Sequence, residues 1–210
     1  MMKKFFLIIG IGLVLILVAI GLAYSPMLVE LITAQKGWVT DVKEGDVIFH
    51  TSSSNQSSLI QLATRSKISH CGIVVLKNGK PYVLEARRTL VLTPLEKFIA
   101  RGIEGRYWIK RSNKENIKIK YSHYLGRPYD SAFKFDNYNL YCSELVYEIY
   151  KKQLGIELSQ PKKVKDYLIP GIDKHPLLKK TMQKRGITKE QYAVAPVDIF
   201  NSEHLNGVDE

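Results

Sequence analysis

Two short segments constrain this chain most, because each places a reactive side chain at the end of a predicted element. Residues 141–146, Tyr-Cys-Ser-Glu-Leu-Val, put Cys142 in the first turn of a predicted helix. Residues 69–75, Ser-His-Cys-Gly-Ile-Val-Val, put His70 at the mouth of an apolar strand. Helix N-terminal amides and a neighbouring imidazolium both stabilise negative charge on sulfur, and so favour the reactive thiolate. A cysteine and a histidine held in this way are typical of a thiol hydrolase.

A predicted β-hairpin gives His70 a neighbour. Asn78-Gly79 is the strongest short-range hairpin signal in the chain, and a two-residue loop there pairs Lys77 with Lys80. In that register His70 and Glu85 lie on the same face as diagonal neighbours, within reach of each other's side chains. A slip of one residue would put them on opposite faces, so the prediction depends on the register.

The remaining elements follow from local signals along the chain. Apolar residues predict a strand at 47–49 and a short helix at 59–64, after a serine-rich run that has the composition of a loop. Thr93-Pro94-Leu95-Glu96 predicts a helix with threonine as its N-cap and proline at its first position. We also predict a strand over 106–110 and a helix over 115–124, closed by Gly126.

The N-terminal segment has the pattern of a membrane span. Two lysines within Met1–Lys4 precede Phe5–Ala23, nineteen residues without a charge, which as a helix would extend about 28 Å. The lysines favour a cytoplasmic N-terminus, with the rest of the chain on the extracytoplasmic side of the membrane. A signal peptide cleaved before Tyr24 is the alternative, and it predicts the same compartment. Residues 1–24 are therefore predicted to be an anchor or signal peptide, and 25–43 a juxtamembrane helix and linker.

The basic composition bears on partners. The formal net charge is +11, and lysine and arginine cluster in the last third of the chain. These clusters are either a solvated face or a surface attracted to an anionic envelope or to phospholipid head groups. No nucleic-acid-binding motif is present, so no nucleic-acid partner is predicted.

The two cysteines, Cys71 and Cys142, are predicted to play separate parts. An even number of cysteines in an exported protein suggests a disulfide, but a disulfide here would remove the nucleophile. Cys71 lies inside an apolar strand, where we expect an inert buried thiol. The sequence contains neither Cys-x-x-Cys nor His-Glu-x-x-His, so we predict no metal site and no cofactor.

The residues alone leave the role of each candidate open. Cys142 is either a nucleophile or a small buried side chain. His70 is a general base only if Glu85 holds its ring, whereas Glu85 is otherwise a strand-end charge facing solvent. Tyr129, in the segment Gly126–Asp130, either packs as an aromatic side chain or donates its hydroxyl to an oxyanion.

Taken together and in this order, the motifs resemble the permuted papain-like cysteine amidases of the YiiX/YebB type. These are relatives of the NlpC-type cell-wall peptidases and of lecithin:retinol acyltransferase. The resemblance extends from Glu44 to about Phe200. It rests on residues 45–49, 55–58, 60–66, 69–74, 84–86, 126–130, 141–146 and 195–199.

The resemblance implies an α+β permuted papain-like fold, with an antiparallel sheet packed against helices and the histidine strand before the cysteine helix. By position it makes Cys142 the nucleophile, His70 the base and Glu85 the orienting third member. Tyr129 matches a tyrosine that lines the site in the wider superfamily. Cys71 departs from the pattern, because an aliphatic or small residue is expected there.

These observations predict a thiol hydrolase at residues 44–205, on the extracytoplasmic side of a bacterial cell envelope. The first reading of its substrate is an amide of the peptide or γ-glutamyl type, for which cell-wall material is a candidate source. The second is a lipid ester, cleaved or transferred as in the acyltransferase relatives. A catalytically silent binding module is a third reading, which the intact cysteine, histidine and glutamate set disfavours.

Overall fold

An antiparallel sheet of six strands forms the centre of the protein. The structure is a computed structural model that describes residues 41–54, 56–169 and 171–208. The strands are β1 (Val47–His50), β2 (His70–Lys77), β3 (Lys80–Ala86), β4 (Leu90–Pro94), β5 (Trp108–Arg111), β6 (Lys162–Lys163), β7 (Tyr192–Ala193) and β8 (Asn206–Gly207). Their order in the sheet is β4-β3-β2-β1-β5-β8, and β6 and β7 pair separately.

Six α-helices accompany the sheet in the described part of the chain. They are α1 (Ser57–Thr64), α2 (Leu95–Ile99), α3 (Cys142–Ile149), α4 (Val164–Tyr167), α5 (Pro176–Arg185) and α6 (Pro196–Phe200). The π-helical segment Tyr150–Leu154 continues α3, and it stops at Gly155, whose φ of 70° suits a residue without a Cβ. Short 3₁₀ turns occupy Ile103–Gly105, Ser122–Tyr124 and Ile172–Lys174.

The two faces of the sheet bury different side chains, because successive strand residues point to opposite sides. One face carries a cluster of buried apolar residues that includes Phe49, Ile73 and Leu84, and α3 packs there through its own apolar side. The second face carries His50 and His70, which lie against Phe98 of α2. The apolar face fixes the position of the cysteine helix, and the second face carries the histidine.

The predicted α+β architecture is confirmed, including a histidine strand that precedes the cysteine helix. The helices predicted near residues 59 and 142 are present, and α1 begins two residues earlier than predicted. The predicted span Phe5–Ala23 and most of the predicted linker 25–43 lie outside the described residues. In the described part of the chain, no helix is long and apolar enough to cross a membrane.

Two local predictions were wrong. Thr93 and Pro94 belong to β4, and the helix begins only at Leu95, so Thr93 is not an N-cap. Residues 115–121 form no helix, and only the turn Ser122–Tyr124 is helical. Side chains from elsewhere bind the backbone of this segment: the Ile119 N–H donates to the Glu44 carboxylate at 2.9 Å, and the Lys120 N–H donates to Gln153 at 2.9 Å. Tertiary hydrogen bonds thus replace the local ones that a helix would supply.

Candidate active site

The hairpin of β2 and β3 adopts the predicted register. Lys77 pairs with Lys80 and Ile73 with Leu84, so His70 and Glu85 are diagonal neighbours on one face. The His70 Nε2 atom lies 2.7 Å from Glu85 Oε2. Gly72 makes room between them, since a Cβ there would lie 2.4 Å from Val83 Cγ1 and 3.3 Å from the Glu85 Cβ.

Glu85 is fully buried and is held by three donors. Thr93 Oγ1 and Arg101 Nη2 both donate to Glu85 Oε1 at 2.5 Å, while His70 occupies the other oxygen. Burial alone would raise the pKa of this carboxyl group, but His70, Thr93 and Arg101 outweigh burial and lower the pKa to about 2. Glu85 is therefore ionised, and it fixes the orientation of the His70 ring.

Cys142 is the first residue of α3, as predicted, and the start of this helix is fixed on both sides. The Ser143 hydroxyl donates to the Val194 carbonyl at 2.7 Å, and the Val194 N–H donates to the Tyr141 hydroxyl at 2.9 Å. No side chain caps this helix end. Its N–H groups are therefore free to stabilise negative charge near the thiol.

The structure brings Cys142 and His70 together as a hydrogen-bonded pair. Because Glu85 holds Nε2, Nδ1 is the ring nitrogen left for the thiol. Burial opposes the charged imidazolium, but the Cys142 thiolate and Glu85 together raise the pKa of His70 to about 9. Hydrogen bonding from Cys71 and the charge of His70 lower the pKa of Cys142 well below its usual range, against the effect of burial. Both shifts favour the form of the pair in which Cys142 is a thiolate and His70 an imidazolium.

Cys71 lies next to this pair and not in a separate part of the core. Both cysteines are buried free thiols. Burial, followed by hydrogen bonding to Cys142, raises the pKa of Cys71 well above its usual range, so this thiol keeps its proton. The predicted burial of Cys71 is confirmed, and its lack of reactivity stays a prediction. The contact between Cys71 and Cys142 was missed, because the alternation of strand residues suggests that His70 and Cys71 point away from each other.

Tyr129 also lies at the site, where burial and the nearby Cys142 charge raise the pKa of its phenol. Gln56 Nε2 donates to the Tyr129 hydroxyl oxygen, and Arg185 donates to Gln56 Oε1 at 2.8 Å. The phenolic proton is therefore free to point elsewhere. Tyr129 is half-buried, and its ring packs edge-on against Phe133.

Sequence reasoning missed three residues around His70. His50 is fully buried between His70 and Phe98, with ring centroids 5.3 Å and 4.4 Å away. Burial, and then the charges of His70 and Arg101, lower the pKa of His50 to about 3, so its ring is neutral. The pairing of β1 with β2 places His50 directly opposite His70, but no local signal marks it. The other two are Thr93, which belongs to β4, and Arg101, which lies in the segment after α2.

Residues 41–209 match a family described as permuted papain-like amidase enzymes of the YaeF/YiiX type, family C92. The chain belongs to the permuted papain-like amidase family. In general terms it is therefore a cysteine hydrolase of the amidase type with a permuted papain-like fold.

Two members of the permuted papain-like amidase family from Escherichia coli are similar along most of their length. The uncharacterized protein YiiX of strain K12 is 32% identical over 189 residues, which cover 87% of this chain and 93% of that protein. A crystal structure described as the metalloprotein YiiX of strain O157:H7 has 34% identity and a TM-score of 0.71. That similarity covers 80% of this chain and 97% of the solved one.

In this family member, two cavities of different character meet the site. A largely apolar pocket with about 100 Å³ of accessible space is lined by Cys142 together with residues of α1, α5 and the segment 193–196. A polar cleft with about 420 Å³ of accessible space contains His70, Glu85 and Tyr129. Across 41–54, 56–169 and 171–208, no three His, Cys, Asp or Glu side chains are grouped to hold a metal ion.

Proposed function

We propose that this chain hydrolyses an amide bond through a covalent acyl-enzyme on Cys142. One observation carries the proposal: Cys142 begins a helix and contacts His70, whose opposite ring nitrogen lies 2.7 Å from the buried Glu85 carboxylate. This is the arrangement in which a base activates a nucleophile and a third group orients the base.

In the proposed mechanism the Cys142 thiolate attacks the carbonyl carbon of the substrate and forms a tetrahedral intermediate. The His70 imidazolium gives its proton to the leaving nitrogen as the C–N bond breaks, which leaves a thioester on Cys142. Neutral His70 then takes a proton from a water molecule that attacks the thioester carbonyl, and the carboxylic acid is released. Glu85 keeps the ring in place and stabilises its positive charge.

The oxyanion of the tetrahedral intermediate would receive hydrogen bonds from two donors. One is the Cys142 backbone N–H at the start of α3, and the other is the Tyr129 hydroxyl. The contact from Gln56 supports this role, because it occupies the phenol oxygen as an acceptor and leaves the phenol proton for the substrate.

A second candidate is the hydrolysis of an ester or amide of a long acyl chain. The specific observation that favours it is the apolar pocket beside Cys142, whose walls include Leu59, Ile60 and Met182. An acyl chain in this pocket would have its carbonyl carbon at the thiol. A short peptide substrate gives no reason for a pocket with so little polar lining.

One screen separates the two candidates. The full-length protein in mild detergent is incubated with muropeptides, with N-acyl amino acids and with lysophospholipids, and Cys142→Ala serves as the blank. Release of amine from muropeptides supports the first candidate. Release of fatty acid supports the second, provided that Ala63→Trp, which fills the apolar pocket, suppresses it and spares any muropeptide activity. If no substrate class shows turnover above the Cys142→Ala blank, hydrolysis is the wrong function.

We also propose that the enzyme works on the extracytoplasmic side of the membrane. The support lies in the sequence alone, in the uncharged stretch Phe5–Ala23 and the preceding Lys3 and Lys4. Fractionation followed by a high-salt wash tests the idea. An anchored protein stays in the membrane pellet, whereas a cleaved protein held by charge is released with Tyr24 at its N-terminus. Recovery of an intact, uncleaved chain in the cytoplasmic fraction would contradict both versions.

A further inference from the structure

Two arginines stand at the open side of the active site without an acidic partner. Arg87 and Arg88 form the turn that follows β3, two and three residues beyond Glu85. Both residues are exposed, and both line the polar cleft that contains His70 and Glu85. Among residues 41–54, 56–169 and 171–208, neither guanidinium group has a hydrogen-bond or ion-pair partner.

Backbone hydrogen bonds hold this turn against the site. The Tyr129 N–H donates to the Arg88 carbonyl at 3.1 Å, and the Arg87 N–H donates to the Thr89 carbonyl at 3.0 Å. Thr89 also bridges to the strand-like segment at Pro128. The arginine turn is therefore fixed to the loop that carries Tyr129, and the two side chains start from a defined position at the rim.

Arg87 and Arg88 differ from Arg101, which lines the same cleft, in the charges around them. Arg101 is neutralised by Glu85, and the His70 imidazolium is neutralised by the Cys142 thiolate. Arg87 and Arg88 therefore leave the cleft with two uncompensated positive charges. Asp130, in the loop after Tyr129, makes no ion pair with either arginine, and its side chain accepts hydrogen bonds within its own loop, at 2.8 Å from the Ala132 N–H and 3.0 Å from the Lys134 N–H.

We propose that Arg87 and Arg88 form a subsite for an anionic group of the substrate, a carboxylate or a phosphate. The proposal rests on the proposed function, since it places the anion beside the bond that Cys142 attacks. Guanidinium groups bind both oxyanions through paired hydrogen bonds. The substrate would then carry an anionic group on the cleft side of the scissile bond.

The test uses thiol reagents of different charge, so it requires no known substrate. The Cys142 thiolate attacks the alkylthio sulfur of a methanethiosulfonate, so a mixed disulfide forms and methanesulfinate leaves. These reagents exist in neutral, sulfonate-bearing and trimethylammonium-bearing forms. The double variant Arg87→Gln/Arg88→Gln is compared with Lys77→Gln/Lys80→Gln. The control removes two charges from the tip of the same hairpin, seven residues from His70 or about 23 Å away along the strand.

In the wild-type protein we expect the sulfonate reagent to react faster than the trimethylammonium reagent. The arginine variant should lower the ratio of the sulfonate rate to the trimethylammonium rate roughly tenfold, as expected for a local electrostatic subsite. The rate of reaction with the neutral reagent should stay unchanged. The lysine control should keep the ratio. An unchanged ratio in the arginine variant, or an equal loss in the control, would overturn the subsite and leave the reactive thiol established. No reaction of Cys142 with the neutral reagent would overturn the proposed function and the subsite with it.

A protection experiment distinguishes the two kinds of anion. Glycerol phosphate and N-acetylglutamate are each added before the neutral reagent. Protection of Cys142 that disappears in the arginine variant supports the subsite, and the better protector shows whether phosphate or carboxylate is preferred. If neither compound protects the wild-type protein at millimolar concentration, the subsite does not exist.

Discussion

Two buried carboxyl groups in different regions of this site differ in ionisation: one is ionised and the other is protonated. Glu85, in the hairpin, receives hydrogen bonds from His70, Thr93 and Arg101, and its pKa is lowered to about 2. Glu144, in the first turn of α3, is equally buried, but burial raises its pKa to about 8 despite a 2.7 Å hydrogen bond from the Asp136 N–H. Burial raises the pKa of both groups, so the partners of each carboxyl group decide its charge.

This difference in ionisation suits the position of each residue relative to His70 and Cys142. An ionised Glu85 stabilises the His70 imidazolium. A second carboxylate at Glu144, two residues from Cys142, would repel the thiolate. The ionised carboxylate is therefore the one in the hairpin. At the start of α3, the negative charge is that of the Cys142 thiolate, because Glu144 is protonated.

The largest effect should come from paired glutamine substitutions. Glu85→Gln should reduce turnover by about 100-fold or more, because the amide neither compensates the imidazolium nor fixes its tautomer. Glu144→Gln should stay within about twofold of wild type, since glutamine resembles a protonated glutamate. The measurement is kcat/KM on the substrate found in the screen, with circular dichroism to check folding. Equal losses in the two variants would show that the charge states do not differ.

Stability should depend on pH in opposite directions for the two groups. The lowered pKa of Glu85 adds stability above pH 4.5 that is lost as the pH falls toward 2. The raised pKa of Glu144 gives the reverse: the free energy of unfolding falls as the pH rises from 4.5 to 8. His70, whose pKa is raised to about 9, loses its contribution between pH 6.5 and 9, but the lowered pKa of Cys142 adds stability as the pH rises toward 9, so the two effects oppose each other in that range.

Urea unfolding at a series of pH values measures these contributions. Relative to the wild-type protein, Glu144→Gln should gain more than about 1 kcal/mol in its free energy of unfolding as the pH rises from 4.5 to 6.5, because only the wild-type protein carries the Glu144 contribution. A variant that follows the wild-type curve throughout this range would mean that Glu144 is ionised in the folded protein.

A smaller effect should follow from crowding the hairpin at Gly72. Gly72→Ala places a methyl group against Val83 and beside Glu85, and overpacking of this kind costs about 1–3 kcal/mol. Gly207→Ala is the matched control, since its Cβ would meet nothing within 4 Å. Thermal unfolding compares the two variants. A loss for Gly207→Ala as great as that for Gly72→Ala would mean that close packing at Gly72 is not the cause.

The smallest expected effect concerns the second cysteine. Cys71→Ala removes a hydrogen bond to the Cys142 thiolate, so the pKa of Cys142 should rise while the His70 contact keeps the thiol reactive. Iodoacetamide alkylation as a function of pH measures this shift. In the wild-type protein, peptide mapping should find the label on Cys142 alone. Labelling of Cys71 in the folded protein would contradict the assignment of the nucleophile.

The part of this site that depends on local sequence patterns, the contact between His70 and Glu85, was predictable from the sequence. The Asn78-Gly79 loop fixed the register, and the register placed Glu85 beside His70. Arg101 and Thr93 could not be found in the same way, because their contacts to Glu85 depend on where α2 and β4 pack. Thr93 also carried a misleading signal, since a Thr-Pro pair before a glutamate is typical of a helix start.

The segment at residues 115–124 failed for a related reason. Its composition allows a helix, but Ile117 packs against Gly45, and the backbone of residues 119 and 120 binds side chains distant in sequence. Propensity is a weak preference that such tertiary contacts override. The charge difference between Glu85 and Glu144 was equally hidden, because it depends on which donors reach each oxygen.

The short hairpin that joins His70 to Glu85 also bears on when reactivity arises during folding. These two residues are 15 apart, so their contact forms with the hairpin on a timescale of about 1–10 μs. Cys142 joins them only when α3 docks on the sheet, across a much longer loop, and long-range contacts form later. We therefore expect the Cys142 thiol of the folding chain to stay unactivated until α3 docks on the sheet. Quenched-flow alkylation during refolding should find rapid labelling at pH 6 only after that docking step, and rapid labelling at the earliest times would show that activation is local.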